Sequence, residues 1–203
     1  MAIVSPTEPP QGQQVLQGVL SYLLSRNDAP WTQSALGGAS VDQVQYTQPH
    51  MAYSIGVDAL ASGQFLDAAQ PMGWRYLLID PSGAKSLAEV YLATGSDGNL
   101  AFSAVSYGPT GPATVDALSD LEQNNASVQS SDYELRYLQV PALAFFALWL
   151  HGASDDIIRP IPPTPVTVMD PVAMAPSQVQ PGLQQAAQAV QAQQTQFSGP
   201  SGG

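Results

Sequence analysis

Few residues in this chain are equipped for chemistry. There are two histidines, His50 and His151, one lysine, Lys85, four arginines and no cysteine. His151 is followed closely by Ser154, Asp155 and Asp156. An imidazole beside carboxylates has the residue types of a metal site, or of a general base held by an orienting acid. A pocket at His151, Asp155 and Asp156, with His50 as a further member, would make the chain a small-molecule-binding domain or a hydrolytic enzyme. The same residues also read as a strand end running into a polar turn. No second histidine shares the element of His151, so metal-ligand spacing is missing.

Other chemistries lack their signatures. There is no Gly-x-Ser-x-Gly stretch. Gly95 with Gly98, and Gly108 with Gly111, do not have phosphate-loop or dinucleotide spacing and read as turns. Asp155-Asp156 is too short for a calcium loop. Without cysteine, disulfides, thiolate metal sites and cysteine nucleophiles are excluded. No cofactor is called for.

Arg75 poses a different question. It sits in Trp74 to Asp80, a strand apolar on both faces and therefore central. A buried guanidinium requires a carboxylate, and Glu89 or Glu134 is expected to supply it. The result is an internal ion pair or an anchor for a ligand anion. Glu134 and Arg136 lie two apart on one strand face, placed to pair with neighbouring strands. The tyrosines Tyr76, Tyr91, Tyr107, Tyr133 and Tyr137 fall in strands and read mainly as core. A small sheet can also curl around a tyrosine-lined cavity, which the sequence does not locate.

The elements that must position these residues follow from periodicity. Gln11 to Arg26 repeats Val15, Leu16, Val19, Leu20, Leu23 and Leu24 at helical spacing. Trp31 to Ser40 is loop-like. Val41 to Tyr46 and Met51 to Asp58 alternate as strands, and Ala59 to Gly73 reads as a loop with at most one helical turn. Trp74 to Asp80, Leu87 to Thr94 and Leu100 to Tyr107 form an antiparallel meander, with turns at Asp80-Pro81-Ser82-Gly83 and at Gly95 to Asn99. Pro112 opens a second helix, Ala113 to Asn124. Tyr133 to Val140 and Ala144 to His151 are core strands, with a bend or bulge expected at Pro141. Ile157 to Ile161 is an edge strand stopped by prolines. The expected fold is α+β: one domain from residue 11 to 161, with an antiparallel sheet of about five to seven strands and the two helices on one face.

Residues 1–10 read as an extended arm. Near Ile161 the composition turns to Pro, Gln and Ala. Residues 162–203 read as an extended linker and flexible tail, with a short helix at 183–197 whose narrow face would be Leu183, Ala187, Val190 and Phe197. That face is the candidate for binding a protein partner.

Bulk composition narrows the function classes. The net charge is -11 and only 10% of residues are charged, against about a quarter in ordinary domains. Such a surface repels nucleic acid and anionic membranes. The most apolar stretch, Leu138 to His151, is broken by Pro141 and falls short of the ~20 residues a membrane span requires. Met1 to Pro10 has no signal-peptide pattern, so the cytoplasm is the expected location, with non-standard export left open. The first functional expectation is a non-enzymatic structural or interaction protein, an assembly unit or adaptor whose tail tethers it to a larger complex. Its partner would be another protein or further copies of itself. The alternative is the pocket at His151.

Overall fold

A computed structural model describes residues 3–25, 44–47, 49–79, 86–165 and 168–197. The Trp31 to Ser40 loop, the Asp80 to Gly83 turn, part of Val41 to Tyr46, and residues 198–203 lie outside these. The described residues form nine strands in one sheet and five helices. In chain order they are β1 (Ile3–Val4), α1 (Gly12–Ser25), β2 (Gln45–Tyr46), β3 (His50–Ser54), α2 (Val57–Ala61), β4 (Gln70–Ile79), β5 (Ser86–Thr94) and β6 (Leu100–Ser106). Then come α3 (Thr110–Asn124), α4 (Ala126–Ser130), β7 (Tyr133–Val140), β8 (Phe145–Gly152), β9 (Asp156–Pro160) and α5 (Pro176–Phe197).

The sheet runs β6-β5-β4-β3-β7-β8-β9. It is larger than expected, and mixed rather than antiparallel. The two meanders, β3 to β6 and β7 to β9, are antiparallel, but they meet in a parallel seam where Met51 faces Arg136 and Ser54 faces Gln139. The β4–β6 meander and α3 together act as the crossover that returns the chain parallel to β3. Beyond the ends of β3, β1 pairs with β7 at Ile3↔Tyr133 and β2 pairs with β4 at Tyr46↔Leu78. Two-residue strands carry no periodicity, so neither is visible in the sequence.

The helices cover both faces, not one. In β4, Trp74, Tyr76 and Leu78 pack with Leu16, Val19, Leu20 and Leu23 of α1. The alternate residue, Arg75, points to α3, whose Ala117 and Leu121 pack with Ala52, Tyr137, Leu148 and Leu150. A strand apolar on both faces must be covered on both, which places α1 and α3 on opposite sides. Pro141 does not bend one long ribbon. It opens a single helical turn, Pro141–Leu143, closed by Ala144 at φ 48, and β8 folds back on β7 at Val140↔Phe145.

The C-terminal segment differs most from the expected linker and flexible tail. From Pro176 it forms a 22-residue helix, with Pro181 inside it. Val179, Leu183 and Ala187 are fully buried against Ile55, Leu60, Phe65, Leu138, Val140, Phe145 and Trp149. The glutamines are used as well. Gln180 Nε2 donates to the Gly63 carbonyl (2.6 Å), Gln188 to the Ala61 carbonyl (3.2 Å) and Gln191 to Asp58 (2.7 Å). A weakly amphipathic helix is marginal alone and is stabilised by what it packs against. Just before it, Met174 bridges Ile158 and covers the outer edge of β9. The expected loop at Ala59 to Gly73 contains α2's last turns, and its final residues already belong to β4. No helix among the described residues is long and apolar enough to cross a membrane.

Candidate functional site

The most polar point of the interior is at Arg75. Its side chain and that of Glu89 are buried, and Arg75 Nε donates to Glu89 Oε2 at 3.0 Å. Of the two expected partners, Glu89 on the adjacent strand takes the arginine. Glu134 pairs instead with Arg136 two residues along (2.7 Å), not with a neighbouring strand, and that guanidinium lies over the Trp149 and Tyr53 rings.

Every arm of the Arg75 guanidinium is engaged. Nη1 contacts His50 Nε2 at 3.0 Å, and Nη2 donates to Thr114 Oγ1 at 2.9 Å. The plane lies over the Tyr137 ring, 4.1 Å from its centre. Arginine has only donors, so His50 accepts at Nε2 and carries its proton on Nδ1. Glu89 in turn accepts from the Tyr91 hydroxyl at 2.7 Å and from the Thr110 hydroxyl. Burial alone would raise the Glu89 pKa, but the Arg75 charge and the hydrogen bonds from Arg75, Thr110 and Tyr91 outweigh it. The carboxyl is held below its ordinary range. Burial likewise opposes the Arg75 charge, and Glu89 more than compensates.

Next to this network the α3 side of the sheet opens into a cavity of about 500 Å3. Tyr91, Thr110 and Tyr137 belong to both the network and the cavity wall. Met72, Phe146 and Pro163 supply apolar surface, while Tyr107, Ser103, Ser106 and Gln139 add neutral polar groups. Among the described residues, no charged side chain lines it. Tyr137 stacks on Phe146 with ring centres 6.4 Å apart. Burial pushes the Tyr107 and Tyr137 phenols up to about 12, and Tyr91 higher still, so all three are protonated at neutral pH. The floor requires glycine at position 73, where φ is 144 and an added Cβ would stand 2.2 Å from the Leu92 carbonyl oxygen. That close approach accompanies the register irregularity where β3 meets β4.

The residues first singled out are dispersed. His50 lies inside the Arg75 network on the α3 face, whereas His151 is on the opposite face beside Trp149. His151 Nδ1 is 2.7 Å from Asp156 Oδ1, with the imidazole 43% exposed. Asp155 accepts from the Tyr133 hydroxyl at 3.0 and 3.1 Å and from Ser154 Oγ at 3.2 Å. Ser154 therefore spends its proton on Asp155 and is not an activated nucleophile for His151. Asp155 and Asp156 do border a second hollow, with Ser177 and Gln178 on its far side, but His151 does not line it. Among the described residues no three His, Asp or Glu side chains are grouped to hold a metal. Leu183 and Ala187 are buried against the chain's own sheet, Val190 is half-buried with them, and Phe197 ends the helix with its side chain outside the described residues.

The cavity was only half visible in the sequence. An arginine in an apolar strand signals the ion pair. Nothing local signals that Tyr91, Thr110 and Tyr137, from two strands and a helix start, converge beside it. No protein-family model matches this chain, and no curated protein or solved structure gives a significant match.

Proposed function

We propose that this chain is a non-enzymatic binding protein that holds an uncharged small molecule in the cavity between β4–β6, β7 and the start of α3. The observation that carries the reading is the cavity itself: about 500 Å3, walled by three protonated tyrosines and apolar side chains, with no charged group among the described residues of its lining. Its size and lining are those of ligand sites, which are mostly apolar with a few placed polar groups. The hydroxyls of Tyr91 and Thr110 do meet a carboxylate, but Glu89 is held by Arg75 with its pKa lowered and is a weak base, which supports binding over catalysis.

The adaptor reading, with a protein or a second copy as partner, has less support. Its apolar stripe, Leu183 and Ala187, is occupied by the chain's own core, so partner binding would require α5 to undock. The hydrolytic reading at His151 has a His–Asp pair without an aligned nucleophile.

The test fills the cavity. Ala104 lines it and is exposed, so Ala104→Trp should occupy the space without disturbing the core. Native mass spectrometry of the protein from cells is expected to show a small molecule on the parent chain and none on the variant. A bound molecule retained equally by both would overturn the reading.

A further inference from the structure

On the side of the cavity formed by Tyr91 and Thr110, the hydrogen-bonding sense is set by Glu89. A carboxylate only accepts. Tyr91 and Thr110 each have one hydroxyl proton, and each donates it in a hydrogen bond to Glu89, Tyr91 to Oε2 and Thr110 to Oε1. The bond to an ionised acceptor is the strong kind, about twice a neutral one, so these protons do not turn outward readily. Glu89 itself is fixed by Arg75 and is ionised. Both residues line the cavity and are half-buried. What they offer a ligand is lone pairs, not protons.

We infer that the cavity selects an uncharged ring molecule that brings its own hydrogen-bond donor, a hydroxyl or N–H, to the oxygens of Tyr91 and Thr110. The ring follows from the wall made by Tyr137 stacked on Phe146. Aromatic faces favour offset-stacked or edge-on rings. Neutrality follows from the described lining, which carries no charged side chain: an ion there would lose hydration with no counter-charge among those residues in contact. A ligand with only acceptors would set its lone pairs against those of Tyr91 and Thr110. This inference rests on the binding reading above and narrows it to a ligand class.

The test uses the full chain and four probes sharing one ring system, with calorimetry or ligand-observed NMR as readout. 2-Naphthol is neutral and carries a donor. 2-Methoxynaphthalene is its acceptor-only counterpart. 2-Naphthoate and 1-naphthylmethylammonium supply the two charges. The expected result is 2-naphthol bound about tenfold tighter than 2-methoxynaphthalene, the value of one well-made hydrogen bond, and both charged probes weaker still. Tyr91→Phe is expected to bring 2-naphthol down toward 2-methoxynaphthalene while leaving the latter unchanged. His151→Ala, on the other face, should alter neither. Equal or tighter binding of 2-methoxynaphthalene overturns the donor rule and leaves the cavity reading standing. Tightest binding by a charged probe overturns neutrality in the same way. If no probe binds the parent chain, both this inference and the binding reading fall.

Discussion

Thr110, the first residue of α3, gives its hydroxyl proton to Glu89 in the middle of β5. One turn later Thr114 accepts a hydrogen bond from Arg75 and donates one to the Thr110 carbonyl at 2.7 Å. The start of the helix is thus held to the sheet by the ion pair, and the wall of the cavity is held with it.

Glu89→Gln should therefore be costly. It leaves Arg75 buried without a counter-charge, which typically costs about 3–5 kcal/mol. Replacing both partners by apolar residues, Arg75→Met with Glu89→Leu, is expected to cost less than either single change. Urea denaturation of the single variants and the double is the measurement. A double variant less stable than each single one would contradict the account.

Stability should depend on pH through the same carboxyl. Its folded pKa lies below the ordinary value of about 4.3, so its contribution is complete above that value and is lost as pH falls through the depressed folded pKa. Other acids titrate in this range, so the informative quantity is the stability gap between the parent chain and Glu89→Gln. That gap is expected to hold from about pH 7 down to about pH 4.3 and to shrink only below it. A constant gap would show that Glu89 is not ionised in the fold.

Position 73 should accept only glycine. Gly73→Ala would set a Cβ 2.2 Å from the Leu92 carbonyl oxygen at φ 144. A cost of about 1–3 kcal/mol or more is expected from the backbone strain alone. Thermal melts would reveal it, and loss of 2-naphthol binding should accompany it because the floor must shift.

Leu183→Ala separates a core role for α5 from a tethering one. A fully buried leucine truncated to alanine costs about 2–5 kcal/mol, whereas the exposed Gln185→Ala should stay within about 0.5 kcal/mol. If Leu183→Ala left stability untouched while abolishing association with a partner, the tail would be a docking element after all.

His151→Ala is expected to be nearly silent. Its pairing with Asp156 is exposed, and exposed ion pairs contribute about 0–1 kcal/mol. A large loss of stability in a melt would mean that the pair is more than a surface contact.

These residues show what a sequence discloses and what it conceals. Arg75 announced the need for a carboxylate because a charge in an apolar strand must be paired, but it left Glu89 and Glu134 both open, and only the fold selects Glu89. The core strands were legible because alternation is local. The side on which α3 packs was not, because it depends on which face of β4 remains uncovered once α1 is in place. The docking of α5 was hidden for a similar reason. Its apolar positions are too sparse to hold a helix alone, and they become sufficient only when Leu60, Phe65 and Phe145 are brought underneath. The cavity was hidden because its walls come from segments joined only by the finished fold.

The parallel seam between β3 and β7 has a kinetic consequence. Each meander can zip up through neighbours in sequence, but Met51 meets Arg136 only after the whole intervening chain has been gathered. Closing so long a loop is entropically unfavourable until the contacts it enables are made. The expected order is two hairpin-built halves first and their joining last, so substitutions at the seam should slow refolding more than they hasten unfolding. A newly synthesised chain would expose the seam edge of its first half until β7 is made, and that interval is when it would be most open to pairing with the wrong strand.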